Sequence, residues 1–210
     1  MNKCLKSLLL LSLLWIASPA WAQQDAITEP ASDPKLVVEA AVNGIVHALE
    51  SRADQNTLSE ADRDAIRQQV EGRFDYREMA RRSIGRDWNK QSNDAQENFT
   101  KTFRDLLERS YGNRLAEYHG QTIVYDNAEF KRDKARVKTR VIDTNKETPV
   151  EYRLHKSEGA WQVYDIKIEG VSLVGTFRED FKPVLKNDGF DGLLKALQEK
   201  VARLKAKDAA

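Results

Sequence analysis

Cysteine is almost missing from this 210-residue chain, where Cys4 stands alone. One thiol excludes an intramolecular disulfide and a cysteine-built zinc or iron–sulfur site. Histidine is scarce as well: His47, His119 and His155 show no HExxH pair and no metal-ligand spacing. His47 falls inside a helical pattern. His119 follows one, where a cation suits the helix dipole, and His155 shares a strand's polar face with Arg153. No charge sign dominates, with 34 Lys and Arg against 33 Asp and Glu, so the basic excess of a nucleic-acid binder is lacking. No glycine loop suited to phosphate is present. Gly170-Val171-Ser172-Leu173-Val174-Gly175 comes near a nucleophile elbow, but its second glycine arrives one residue late, so the plainer reading is a strand end that bends at Gly170. Long hydrophobic runs are also missing. The apolar stretch Leu8–Ile16, broken by Ser12, is shorter than the about 20 residues that span a bilayer.

That short run instead has the layout of an export signal. Lys3 and Lys6 precede it, Pro19 ends it, and Ala20-Trp21-Ala22 offers a small-x-small cleavage site. Residues 1–22 read as a signal peptide. Cys4 lies ahead of the apolar run rather than at the cleavage point, which does not suit a lipid anchor. Cleavage would remove both lysines and leave basic and acidic residues one apart. Residues 23–33 are polar and read as a flexible mature N-terminus. Residues 34–206 suffice for a single domain with a real core.

Asp33-Pro34 marks a helix start, with Asp at the N-cap and Pro at the first turn. Leu36, Val37, Ala40, Ala41, Ile45, Ala48 and Leu49 then recur at helical spacing as a wide apolar stripe. Ser59 and Asp62 form a capping box for a second helix ending near Gly72, and Asp75 with Glu78 starts a third that Gly85 ends. The strongest periodicity runs from Asp94 to Tyr118. Phe99, Phe103, Leu106, Leu107, Tyr111, Leu115 and Tyr118 share one side of it, and Lys101, Arg104, Asp105, Glu108 and Arg109 the other.

After Tyr118 the period changes. Thr122–Tyr125 is β-branched and aromatic; Val137, Thr139 and Val141 alternate with cations; Val150, Tyr152 and Leu154 alternate with Glu151, Arg153 and His155; Trp161 and Val163 open a last run through Ile168. Turn residues separate the runs, which predicts a four-stranded antiparallel meander with one apolar face. Tyr164 and Ile166 break the parity of Val163, so that strand is either buried on both faces or carries a bulge. A short helix near Phe177–Leu185 and an amphipathic one over Gly192–Leu204 follow. Helices, then strands, then helices give an α+β domain with helices over the sheet's apolar face.

Two charged segments have double readings. The cations of Lys131–Arg140 alternate with apolar residues and suit a solvated hairpin face, or a face that meets lipid headgroups or a partner. The basic C-terminal helix suits either a membrane surface or, through Leu193, Leu197, Val201 and Leu204, the domain's own core. Asp165, a carboxylate in an apolar run, is the one candidate base for an isomerase or dehydratase; its other reading is a hydrogen-bonded strand residue near a turn.

Three blocks carry a resemblance. They are Trp161-x-Val163-Tyr164-Asp165-Ile166-Lys167-Ile168-Glu169-Gly170-Val171-Ser172-Leu173-Val174 with Phe177-Arg178; Phe74-Asp75-Tyr76-Arg77-Glu78-Met79-Ala80 with Ile84-Gly85 and Trp88; and the long-helix pattern from Phe99 to Tyr118. Together, over roughly Leu36–Val201, they resemble the MlaC family, also called the Ttg2 toluene-tolerance family, of periplasmic phospholipid-binding proteins; a hopanoid-associated branch is the alternative. The resemblance implies helices on a curved four-stranded sheet enclosing a lipid cavity, with no cofactor, metal or nucleophile. It implies a phospholipid ligand passed between an outer-membrane lipoprotein complex and an inner-membrane ABC transporter with an MCE-type subunit, maintaining outer-membrane lipid asymmetry. The expected lining is Phe99, Phe103, Leu107, Tyr111, Val137, Val141, Val150, Tyr152, Leu154, Trp161, Val163, Val171 and Leu173; the strand residues among them suit an ordinary core as well. Glu169 and Arg178 are the expected docking charges.

Overall fold

The computed structural model describes residues 33–208. The signal peptide and most of the mature N-terminus expected from the sequence lie outside the described residues. Helix α1, Pro34–Glu50, starts as its sequence dictates: Asp33 accepts a hydrogen bond from the Lys35 amide, and proline occupies the first turn, where its missing N–H is harmless. Helix α2, Glu60–Val70, carries the Ser59–Asp62 capping box. Helix α3, Tyr76–Ile84, is capped by Asp75 and stops at Gly85, whose φ of 61° lies in the left-handed region. A 3-10 turn, Gly85–Lys90, leads into the long helix α4, Asn93–Ala116.

The meander is larger than the sequence pattern indicates. Strands β1 (Thr122–Tyr125), β3 (Lys134–Ile142), β4 (Glu147–Ser157) and β5 (Ala160–Ile168) are the expected four. The short strands β2 (Glu129–Lys131) and β6 (Val171–Ser172) bring the antiparallel sheet to six. Both additions are too short to show a period of two in sequence. The order is β1-β3-β4-β5-β6, with β2 beside β1 on the free edge of β3. The free edge of β5 is covered: the Val163 amide donates to the Arg73 carbonyl, and the Asp75 amide donates to the Val163 carbonyl.

The parity break in β5 is a bulge. Arg153 pairs with Asp165 and Leu154 with Val163, so Tyr164 is the extra residue. Tyr164 and Asp165 therefore both turn away from the α1 face, while Val163 and Ile166 both join the cluster beneath α1.

The two C-terminal helices form one element, α5, Leu173–Asp208, broken at Gly189, where φ is 69°. Pro183 sits inside its first arm. The second arm buries Leu193, Leu197 and Val201 in the helical core, and Lys205 near its end reaches Asp105 of α4 at 3.2 Å. Its leucine stripe thus faces the domain's own core, which removes the reading of that stripe as a membrane-surface face.

Two larger closed cores hold this arrangement, with a smaller cluster of Leu49, Leu58 and Ala116 beside them. One is helical and aromatic: Phe99, Phe103, Phe177, Phe181 and Phe190 interlock with ring centroids 5.2–6.3 Å apart. The other lies between the start of α1 and the sheet, where Val37 and Val38 meet Ala135, Val137, Leu154, Trp161 and Val163.

Candidate functional site

Between those cores the apolar surfaces do not meet. They enclose a cavity of about 570 Å³, inside the roughly 300–1,000 Å³ range of ligand pockets. Helical periodicity sends Ala41, Val42, Ile45, Val46 and Leu49 of α1 into it, with Ile66 and Val70 of α2 and Leu107, Tyr111 and Leu115 of α4. Strand alternation supplies Ile123, Val141, Val150 and Tyr152, and the bulge adds Ile166 and Ile168 to the same face.

The opening is polar. Arg114, Glu117, Asp143, Lys146 and Glu169 line the cavity and are solvent-exposed, so they mark its mouth, at the end of α4 and the tips of the β3–β4 and β5–β6 turns. Lys146 pairs with Glu169 at 3.0 Å, and Gln121 donates to Asp143 at 3.3 Å. Between α2 and α4, Arg67 binds Glu108 at 2.7 Å, and this bond holds the guanidinium well above its usual range. Arg63, also on the wall, reaches Asp208 at 3.1 Å. Tyr76 and Tyr152 line the interior, and burial pushes both phenols well above their ordinary value. Tyr152 keeps some accessible surface despite its depth, because that surface faces the cavity.

No helix among the described residues is long and apolar enough to cross a membrane. Nor, among them, does any group of His, Cys, Asp and Glu have the arrangement to hold a metal ion. Asp165 does not line the cavity. It accepts hydrogen bonds from the Ser172 hydroxyl at 2.8 Å and the Val174 amide at 3.2 Å, and lies 3.6 Å from Arg153, so it anchors the start of α5. The three histidines lie off the cavity wall as well; His155 bonds Asp75 at 2.9 Å.

The sequence model described as MlaC protein matches residues 39–199. The chain belongs to the MlaC family. Among its curated relatives is the intermembrane phospholipid transport system binding protein MlaC of Haemophilus influenzae, 25% identical over 57% of this chain and 59% of that protein. Another is the toluene tolerance protein ttg2D of Pseudomonas putida, 33% identical over 44% of each. The chain thus spans about half the length of the curated relatives it matches. Among solved structures, a phospholipid-binding protein from Ralstonia solanacearum in complex with a phospholipid superposes with a TM-score of 0.76 at 27% identity, covering 82% of this chain and 99% of that one.

Of the lining expected from the resemblance to the MlaC family, Leu107, Tyr111, Val141, Val150, Tyr152 and Leu173 lie on the cavity wall. The others do not. Phe99 and Phe103 are fully buried in the aromatic helical core, one to two turns before Leu107 on α4. Val137, Leu154, Trp161 and Val163 are sealed beneath α1. Val171, on the two-residue β6, is 60% exposed at the surface. Glu169 sits at the mouth, whereas Arg178 is exposed on α5 beside Gly85. The α1 wall was visible in sequence only as an apolar stripe. Its unusual width was the available signal, since one stripe serves both the closed core and the cavity.

Proposed function

We propose that this protein is a periplasmic phospholipid carrier that moves lipid between an outer-membrane lipoprotein complex and an inner-membrane ABC transporter with an MCE-type subunit. The observation that carries this reading is the apolar cavity with a charged mouth. Exposing a methylene to water costs about 0.8 kcal/mol, so two acyl chains of about 15 methylenes are held in a bilayer by roughly 20 kcal/mol. A soluble carrier has to replace that shelter with apolar walls, and it needs no reacting group to do so. Family membership and the phospholipid complex of the Ralstonia relative support the choice of ligand.

Solvent extraction of protein purified from periplasm, and native mass spectrometry of the intact protein offered mixed lipids, test the reading. Stoichiometric phospholipid of mixed headgroups is the expected result, because tail burial is non-directional. A stoichiometric hopanoid, or a chain that stays empty when offered phospholipid, would reject it. Glu169, at the mouth and paired with Lys146, is assigned to docking. Glu169→Arg should slow lipid delivery to reconstituted partner complexes while bound lipid stays in place. Loss of that lipid would remove Glu169 from docking.

A further inference from the structure

The basic segment of β2 and β3 is not absorbed by the cavity, and it has three unusual features. First, Lys131 and Lys134 stand directly opposite each other across β2 and β3. Like charges so placed repel. Second, Arg132 at the hairpin tip has φ 57°, a left-handed conformation that glycine, asparagine and aspartate take most readily. Third, Lys131, Arg132, Lys134 and Lys156 make no ion pair with another described residue, although Asp133 and Glu158 are close in sequence and exposed. Lys156 belongs to the same end of the sheet, since its amide donates to the Asp133 carbonyl at 3.1 Å. Beside these cations Phe130 is 62% exposed, in a T-shaped contact with Trp161 at a centroid separation of 5.9 Å.

We propose that this hairpin tip, with Phe130 among Lys131, Arg132, Lys134 and Lys156, is a docking site for an anionic phospholipid surface. The charges are complementary to such a surface. An exposed aromatic ring ringed by flexible cations matches the layering of an interface, apolar below and anionic above. All five side chains are exposed and none lines the cavity, so the group is presented outward as a headgroup layer would need. The mouth lies at the opposite end of β3, nine residues and about 30 Å away, and its exposed rim of Arg114, Glu117, Asp143, Lys146 and Glu169 carries more acid than base. Docking by the tip therefore stands the molecule on a membrane with its mouth directed away from it. The tip serves as a tether, distinct from the port through which a ligand passes.

Co-sedimentation of the mature protein with vesicles of phosphatidylcholine, alone or mixed with phosphatidylglycerol, tests this. Binding is expected only to the mixed vesicles and is expected to weaken in high salt. Each Lys or Arg near an anionic surface is worth roughly five-fold in affinity, so Lys131→Glu/Arg132→Glu/Lys134→Glu should lose at least about 100-fold. Phe130→Ser should lose several-fold at unchanged salt dependence. Ligand content after solvent extraction should be the same in both variants and the wild type, which separates tethering from loading. Equal binding to neutral and mixed vesicles, no binding to either, or full binding by the triple variant would overturn the proposal. So would tip-dependent binding to a purified protein partner without any to vesicles. If the triple variant fails to fold, Phe130→Ser decides: unchanged binding of that variant to the mixed vesicles would overturn the proposal.

Discussion

The helical half and the sheet half of this molecule both turn apolar side chains inward, yet the first closes throughout and the second closes only beneath the start of α1. In the helical half, phenylalanines from α4 and the first arm of α5 pack edge to face, Phe190 of the second arm lies tilted against Phe99, and Phe99, Phe103 and Leu106 retain no accessible surface. In the sheet half, the facing residues around the cavity are mostly aliphatic, and the curved sheet and α1 hold them apart. Helix α4 belongs to both halves. Its first turns fill the aromatic core, while Leu107, Tyr111 and Leu115 look into the void. Hydrophobicity decides that these side chains leave bulk water. Whether they then touch each other or surround a void is decided by how far apart the backbones hold them.

Substitutions on either side of this boundary should behave differently. Phe103→Ala removes a ring from a core without slack and should lower the unfolding free energy by about 3–5 kcal/mol, read from denaturant melts of delipidated protein. A loss below about 1 kcal/mol would show that the aromatic half also has room. Val163→Trp tests the sealed cluster beneath α1. Overpacking there should cost about 1–3 kcal/mol, and bound lipid should fall only as far as the folded fraction does. Near-native stability with lost lipid would place Val163 on the cavity instead. Val150→Trp is the counterpart on the wall. The delipidated variant should melt within about 1 kcal/mol of delipidated wild type, while extracted lipid drops sharply. Early unfolding with full lipid would erase the distinction between the halves.

Most of the fold was legible in the sequence because it is specified locally. The caps at Asp33, Ser59 and Asp75 and the stop at Gly85 depend on neighbours a few residues away, and the structure uses each of them. The α4 stripe and the alternation along β3 and β4 likewise fix which faces are buried. What escaped is non-local. Strands β2 and β6 form because a longer neighbour offers them an edge. The lining was half legible for the same reason. Val137 and Val141 have the same parity, the same chemistry and nearly the same place in β3, yet the start of α1 covers the first and leaves the second on the cavity wall. No pattern along β3 encodes where another helix ends its coverage. Asp165 was resolved by its partners: beside Ser172 and the amide of Val174, it is occupied as an anchor.

The extra residue at Tyr164 also constrains how the chain assembles. Pairing β5 to β4 without the bulge would turn Asp165 toward the apolar interior and Ile166 and Ile168 away from it. An ionised carboxylate with no partner in such a place costs several kcal/mol, a large part of the stability of a whole domain. The slipped sheet would also lose the contact that starts α5, because Ser172 and Val174 would find no acceptor. A misaligned strand is therefore penalised twice, before any ligand is present. Asp165 proofreads the register, and the cavity wall is assembled only from chains that have passed that check.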